Sequence, residues 1–389
     1  MEVQDIKVRK ILNSRGLWAL ELDLKVDEKW SRVSVPAGLS RGKNEAAQFE
    51  VSKSMELLPK FKSQVVGAYA DQETLDKQLQ KISGPQKKKF GVDLVLATSI
   101  AALKAQGTIY KTIAKLAETK SAMPTPMLNI INGGLHAGNN LAIQEFMIVP
   151  HRFGTFAEKI EAAAEIYQRL RENLKAKYGR AAVNIGDEGG FAPPMETTVD
   201  AIEAIQAVLD ELGHSKSVGI ALDCAASSYF ENKKYVIDGK ALTTNNYIEH
   251  LKEICTKYSL FSVEDPIQED DFAGWTNFTK EVNCIVVGDD LLVTNPKRVD
   301  EAMKKKACDA VLVKPNQIGT VTETLKVIDM ARKAGWKYII SHRSGETNSD
   351  FIAHLAVGSE APLIKAGAPA RGERVAKYNR LLRLEKVIS

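Results

Sequence analysis

Residues 285–314 read IVVGDDLLVTNPKRVDEAMKKKACDAVLVK. The stretch opens on a short apolar run closed by Asp289 and ends on a second one, AVLV, closed by Lys314. Between them, Asn295 can cap free amides and Pro296 suits a first helical position, so a helix is predicted to begin there. Strand, helix, strand, with a titratable side chain at each strand exit, is the repeating unit of a mainly parallel sheet covered by helices.

The unit recurs on both sides of this stretch. Apolar runs end in AIQEF at Glu145, NIGDE at Glu188, GIALD at Asp223, FSVE at Glu264, YIISH at His342 and LIK at Lys365. With the two above they make eight predicted strands whose exits lie 23 to 43 residues apart. One charged residue can simply mark where a strand leaves the core. Eight in succession predict a β/α barrel, in which strand ends converge on one mouth. Amphipathic stretches fill the gaps: 155–178 puts Ile160, Ala163, Tyr167, Leu170 and Leu174 on one face and stops at Gly179, while 198–212 turns Ile202, Ile205, Leu209 and Leu212 inward and stops at Gly213.

The texture changes upstream. Leu20, Leu22, Leu24 and Val26 alternate with Glu21, Asp23, Lys25 and Asp27, as in half-buried strands of an antiparallel meander. Helical patterns run from about 43 to 118, broken near Gly84-Pro85, and end in the turn-rich Met123-Pro124-Thr125-Pro126. The expected organisation is a small α+β N-terminal lid or capping domain, 1–124, and an eight-stranded β/α barrel catalytic domain, 125–389. The full 389 residues exceed one ordinary core, whereas a barrel of about 250 residues plus a smaller domain accommodates them.

Hydrophobic residues make up 44% of the chain and charged residues 26%, as in soluble globular proteins, and no apolar run is long enough to cross a bilayer. The start, MEVQDIKVRK, lacks the features of a secretory signal, so a cytoplasmic location is expected. Cys224, Cys255, Cys284 and Cys308 form no CxxC pair and are expected to be reduced and mostly buried. Net charge is +4 with basic and acidic residues interleaved, which gives no indication of a nucleic-acid partner. The Lys-Lys-Lys runs at 87–89 and 304–306 read as solvated faces.

The strand exits define a chemistry. Asp223, Glu264 and Asp289 come from three successive exits and offer only hard oxygen ligands, which suits magnesium better than zinc. Lys314 and Lys365 are candidate general bases, a role that needs a lowered pKa. Glu145 and Glu188 form a second acid pair, one member of which could stay protonated and donate to a departing hydroxide. Arg343 and Ser344, next to His342, could fork onto a phosphate or carboxylate. His136 lies in the turn NGGLHAG and could close over a ligand, whereas His151, His214, His250 and His354 have no such context. GLSRGK at 38–43 fails the spacing of a phosphate-binding P-loop and reads as a mobile lid carrying Ser40.

Asn13-Ser14-Arg15-Gly16, the Ser40 loop, LNIINGGLHAGN, QEFMIVP, GDEGGFAP, ALDCA, EDPIQEDD, GDDLLVTNPKR, LVKPNQIGT, SHRSGET and KAGAPARGER run in order along nearly the whole chain, and together they resemble the enolase family. The resemblance implies reversible dehydration of 2-phospho-D-glycerate to phosphoenolpyruvate, a step of glycolysis and gluconeogenesis. Lys314 would take the C2 proton to give a magnesium-stabilised enediolate, and Glu188, assisted by Glu145, would expel the C3 hydroxide. It also implies a first Mg2+ on Asp223, Glu264 and Asp289, and a second arriving with substrate at Ser40. Phosphate would bind at Arg343 and Ser344, with His136, Gln144, His342 and Lys365 completing the pocket. A homo-oligomer, dimer or ring of dimers, is implied as well. The sequence departs from the family pattern at Asn13, Leu17-Trp18, Leu39, Asn44, Asp93 and a contracted segment around 83–93. Those positions bear on lid closure, substrate affinity and subunit contacts, and every barrel residue of the reaction is present. Two other readings are a related superfamily dehydratase acting on another acid, and a non-catalytic binding homologue.

Overall fold

The computed structural model describes residues 1–38 and 44–388. Strands β1 (Glu2–Leu12), β2 (Trp18–Val26), β3 (Lys29–Ser34) and the short β4 (Gly67–Ala68) form an antiparallel sheet in the order β3-β2-β1-β4. The alternation of β2 divides its two faces as expected. Leu20, Leu22, Leu24 and Val26 are buried, whereas Glu21 and Asp23 face Arg9 and Arg32, with Arg9 Nη1 2.6 Å from Glu21 and Arg32 Nε 2.7 Å from Asp23. Helices α1 (Val51–Val65), α2 (Gln72–Ser83), α3 (Val92–Ala105) and α4 (Ile109–Ala117) follow, and α3 packs on β2 and β3. No single helix among the described residues is long and apolar enough to cross a membrane.

From Thr125 onward the chain builds a closed eight-stranded barrel. Its strands are β5 (Thr125–Asn132), β6 (Glu145–Pro150), β7 (Val218–Asp223), β11 (Ser262–Glu264), β12 (Ile285–Gly288), β13 (Ala310–Val313), β14 (Lys337–Ser341) and β15 (Leu363–Lys365), while β8 (Phe230–Glu231), β9 (Lys234–Ile237) and β10 (Lys240–Leu242) make a small separate sheet. The covering helices are α5 (Phe156–Tyr178), α6 (Thr198–Glu211), α7 (Thr244–Lys257), α8 (Phe272–Glu281), α9 (Pro296–Lys305), α10 (Pro315–Ile318), α11 (Val321–Lys333), α12 (Phe351–Gly358) and α13 (Gly372–Ile388). Inside the barrel Met127, Met147, Val149, Ala221, Val287 and Leu312 are fully buried, so the barrel interior is a packed core and not a pore.

Local signals set the helix limits. Thr155 and Glu158 form a reciprocal capping box at the start of α5, Thr197 and Asp200 do the same for α6, and Asn295 accepts from Lys297 N–H ahead of Pro296 in α9. Of the faces assigned to α5 and α6, Ile160 and Leu212 are only half-buried and the rest are buried.

Two expectations about the strands are corrected. NIGDE is no barrel strand: Ile185 makes an isolated bridge to Phe191, and Glu188 lies in the tight turn between them. The missing strand is β5, whose exit carries Asn129 and Asn132 in place of a titratable group. The barrel is also not wholly parallel, because β6 runs antiparallel to both β5 and β7. Glu145 therefore begins its strand instead of ending it, and reaches the same mouth from the opposite chain direction. Lys87 is corrected too: it is buried and pairs at 2.8 Å with Glu323 of α11, joining the small domain to the barrel, whereas Lys304–Lys306 are exposed. All four cysteines are free thiols, Cys284 half-buried and the others buried.

Candidate active site at the barrel mouth

Barrel order places Asp223, Glu264, Asp289, Lys314, His342 and Lys365 at the exits of consecutive strands β7, β11, β12, β13, β14 and β15. Glu145 on β6 closes the ring, four strands from β13, so it faces Lys314 across the mouth. These side chains, Glu264 excepted, line one cavity of about 250 Å³, and His136, Gln144, Glu188, Arg343, Ser344 and Glu45 also stand in its wall. Gly38 reaches the rim, and Ser40 lies outside the described residues.

Lys365 is the hub. Its ammonium is 2.9 Å from Asp223, 2.9 Å from Glu264 and 3.3 Å from Glu145, and these acids outweigh burial to hold its pKa well above the usual lysine value. Lys314 is bonded to Asp289. Burial pushes its pKa down, but Asp289 prevails and the net direction is up. The lowered pKa that a lysine base needs is therefore absent while Asp289 is engaged with Lys314.

The acids are short of positive charge. Burial and Asp223 push Glu264 well above the usual carboxylate range, burial and the neighbouring aspartates do the same to Asp265, and Asp290 is pushed up to about 7. Three buried carboxylates from adjacent strands, two of them already gathered round an ammonium, fit a hard divalent cation such as magnesium. Among the described residues, the sets that bring three possible ligand atoms within 4.8 Å of one another are Asp265 with Asp289 and Asp290, and His136 with Glu145 and Glu188; Asp223, Glu264 and Asp289 do not come that close together. Asp265 is committed elsewhere: its two oxygens accept Asp289 N–H at 2.9 Å and Asp290 N–H at 2.7 Å, clamping the backbone that presents Asp289.

Glu145 and Glu188 cannot both ionise at that separation. Burial and Glu188 push Glu145 well above its ordinary range. Burial opposes ionisation of Glu188 too, but His342, His136 and Arg374 prevail and hold it well below. The two carboxyls are thus driven in opposite directions, Glu145 toward its protonated form and Glu188 toward its ionised form. Asn129 donates to Glu188 at 3.3 Å, and His136 Nδ1 lies 3.7 Å and 3.9 Å from the two acids. The Glu188 turn is held by glycine, because a Cβ on Gly186 would sit 2.5 Å from the His136 carbonyl oxygen.

Gln144 approaches Asp223 at 3.4 Å, and Ser344 lies at the rim with its carbonyl receiving Ser14 Oγ at 3.2 Å. Arg343 is gripped by Glu45 at 3.0 Å and 3.3 Å and by Asn316 at 3.1 Å, so an anion arriving there must share the guanidinium. Glu45, Asp265 and Arg374 have clear places in the site that the sequence reading did not assign. The doubled acid Glu264-Asp265 and the arginine closing KAGAPARGER were the available signals.

A closed β/α barrel joined to a small α+β domain, with acids and lysines gathered at one mouth and clusters that could hold a metal, defines a barrel protein of the kind whose chemistry sits at its strand ends. The family model "Enolase, C-terminal TIM barrel domain" matches residues 120–389 and "Enolase, N-terminal domain" matches residues 3–113. The chain belongs to the enolase family, whose domains imply a lyase or dehydratase.

Proposed function

We propose that the protein is an enolase in the strict sense, removing water reversibly from 2-phospho-D-glycerate to give phosphoenolpyruvate in glycolysis and gluconeogenesis. The carrying observation is the placement of Lys314 opposite the Glu145–Glu188 pair across one buried mouth. An elimination needs a base on one side of the substrate and an acid on the other.

Asp223, Glu264 and Asp289 would hold magnesium, which supplies positive charge beside the substrate carboxylate. A second ion would arrive with substrate at Ser40. Lys314 would take the C2 proton, a role open to it once Asp289 no longer holds its ammonium. A proton from the Glu145–Glu188 pair goes to the leaving C3 hydroxide. Arg343 and Ser344 bind phosphate, and His136, Gln144, His342 and Lys365 shape the pocket. On this reading the protein acts in the cytoplasm as a homo-oligomer; exposed Leu12, Leu17, Trp18 and Trp30 on the N-terminal sheet support self-association.

The test is an ultraviolet assay of phosphoenolpyruvate formation before chelation, after chelation and after magnesium is restored. Activity should vanish and return. Turnover of sugar acids with none of 2-phosphoglycerate would assign the site to another acid dehydratase, and no turnover of either would favour a binding homologue. Lys314→Ala should lower kcat by at least about 10²-fold, the usual share of a general base.

A further inference from the structure

Arg374 stands at the start of α13 with no solvent exposure. Its two terminal nitrogens carry four N–H groups, and each finds an acceptor. Nη1 donates to His342 Nδ1 at 2.7 Å and to the Arg343 carbonyl at 2.7 Å, while Nη2 donates to the Ser344 carbonyl at 2.6 Å and the Asp187 carbonyl at 3.1 Å. One guanidinium thus ties the turn that carries Glu188 to the segment that carries His342, Arg343 and Ser344.

A guanidinium has no lone pair with which to accept, so the 2.7 Å contact fixes His342 Nδ1 as the acceptor. A neutral ring accepting there carries its proton on Nε2, which lies 3.1 Å from Glu188 Oε2 without the alignment of a hydrogen bond. Burial pushes the His342 pKa down to about 4, so the ring is neutral at neutral pH. Glu188 and Glu346 add negative potential around it and Arg374 adds positive.

We propose that Arg374 is a positioning residue that locks His342 in its Nε2–H form, so that the ring turns an N–H, and never a lone pair, toward Glu188. The geometry stands by itself; its consequence for the leaving hydroxide rests on the function proposed above. The ring is thereby set before substrate arrives, by a residue that lies outside the cavity wall.

The test is a long-range nitrogen–proton correlation spectrum of the full chain labelled with 15N histidine, in magnesium buffer, with the His342 signal identified by its loss in His342→Gln. A pyridine-like Nδ1 and a pyrrole-like Nε2 at neutral pH are expected. An Nδ1–H ring, a mixture of the two tautomers or an imidazolium would overturn the proposal, and this spectrum needs no variant of Arg374 to fold. In Arg374→Lys, where folded, mixed tautomers should appear and kcat should fall about tenfold, as for loss of an outer hydrogen bond that orients a working group, with KM little changed. A folded variant with the unaltered ring signature would also overturn it. The spectrum reads the ring without turnover, so a locked ring in a protein inert toward 2-phosphoglycerate sinks the functional reading alone, and turnover with the opposite tautomer sinks this inference alone.

Discussion

At the residue scale, Glu145 and Glu188 show how burial and neighbours drive identical side chains in opposite directions, the first toward its protonated and the second toward its ionised form. Glu145→Gln replaces a neutral acid with a neutral amide, so its unfolding free energy should stay within about 1 kcal/mol of the parent. Its turnover should nevertheless fall by on the order of 10²-fold, since the transferable proton is gone. Glu188→Gln removes an ionised partner from His342 and should cost more stability, roughly 1–3 kcal/mol. Urea unfolding with parallel assays separates the two, and equal stability losses would show that the proton is not resting on Glu145. Asn13 is a milder case. Its side-chain oxygen accepts Arg15 N–H at 2.9 Å and Leu17 N–H at 3.1 Å, and so builds the tight turn an aspartate also could.

At the scale of elements, the small domain is fastened to the barrel through Asp76 of α2. It accepts Thr322 N–H at 2.9 Å and Thr322 Oγ1 at 2.7 Å, at the start of α11, and Ser99 Oγ at 2.7 Å from α3. A carboxylate at a helix N-terminus is favoured by the helix dipole, but complete burial dominates and pushes the pKa up to about 6. An acid whose folded pKa is raised binds more protons folded than unfolded, so its contribution to stability is present at low pH and declines as pH rises toward about 6. Asp76→Asn cannot titrate. The stability of the parent relative to this variant should therefore fall by up to about 3 kcal/mol between pH 4 and 6 and level off above, as measured by urea unfolding at each pH. A flat difference would mean that Asp76 is ionised throughout.

For the whole molecule, the mouth carries more buried acid than base, and its stability should depend on cations. A ligand that binds only the folded state at a hundred times its Kd adds about 2.7 kcal/mol. Magnesium should accordingly raise Tm in calorimetry, and Asp223→Asn should abolish most of that rise while leaving the cation-free Tm near or above that of the parent, since it removes one of the crowded charges. An equal magnesium response in both proteins would take Asp223 out of the ion site.

Periodicity and strand-end chemistry in the sequence by themselves determined the barrel, the antiparallel meander, the limits of α5 and α6, the start of α9 and most of the residues that crowd the mouth, because those patterns are local and most strand exits carry their own side chain. What the chain could not show locally was the direction of β6, the turn that carries Glu188, and β5 as the eighth strand, since a run of apolar residues looks the same whichever way it threads the barrel. Nor could it show that Asp265 clamps the Asp289 backbone, that Arg343 shares Glu45, or that Arg374 reaches His342 across 32 residues of chain. Protonation states belong wholly to the tertiary structure: a glutamate's charge depends on which groups burial brings beside it, and those neighbours come from strands far apart in sequence.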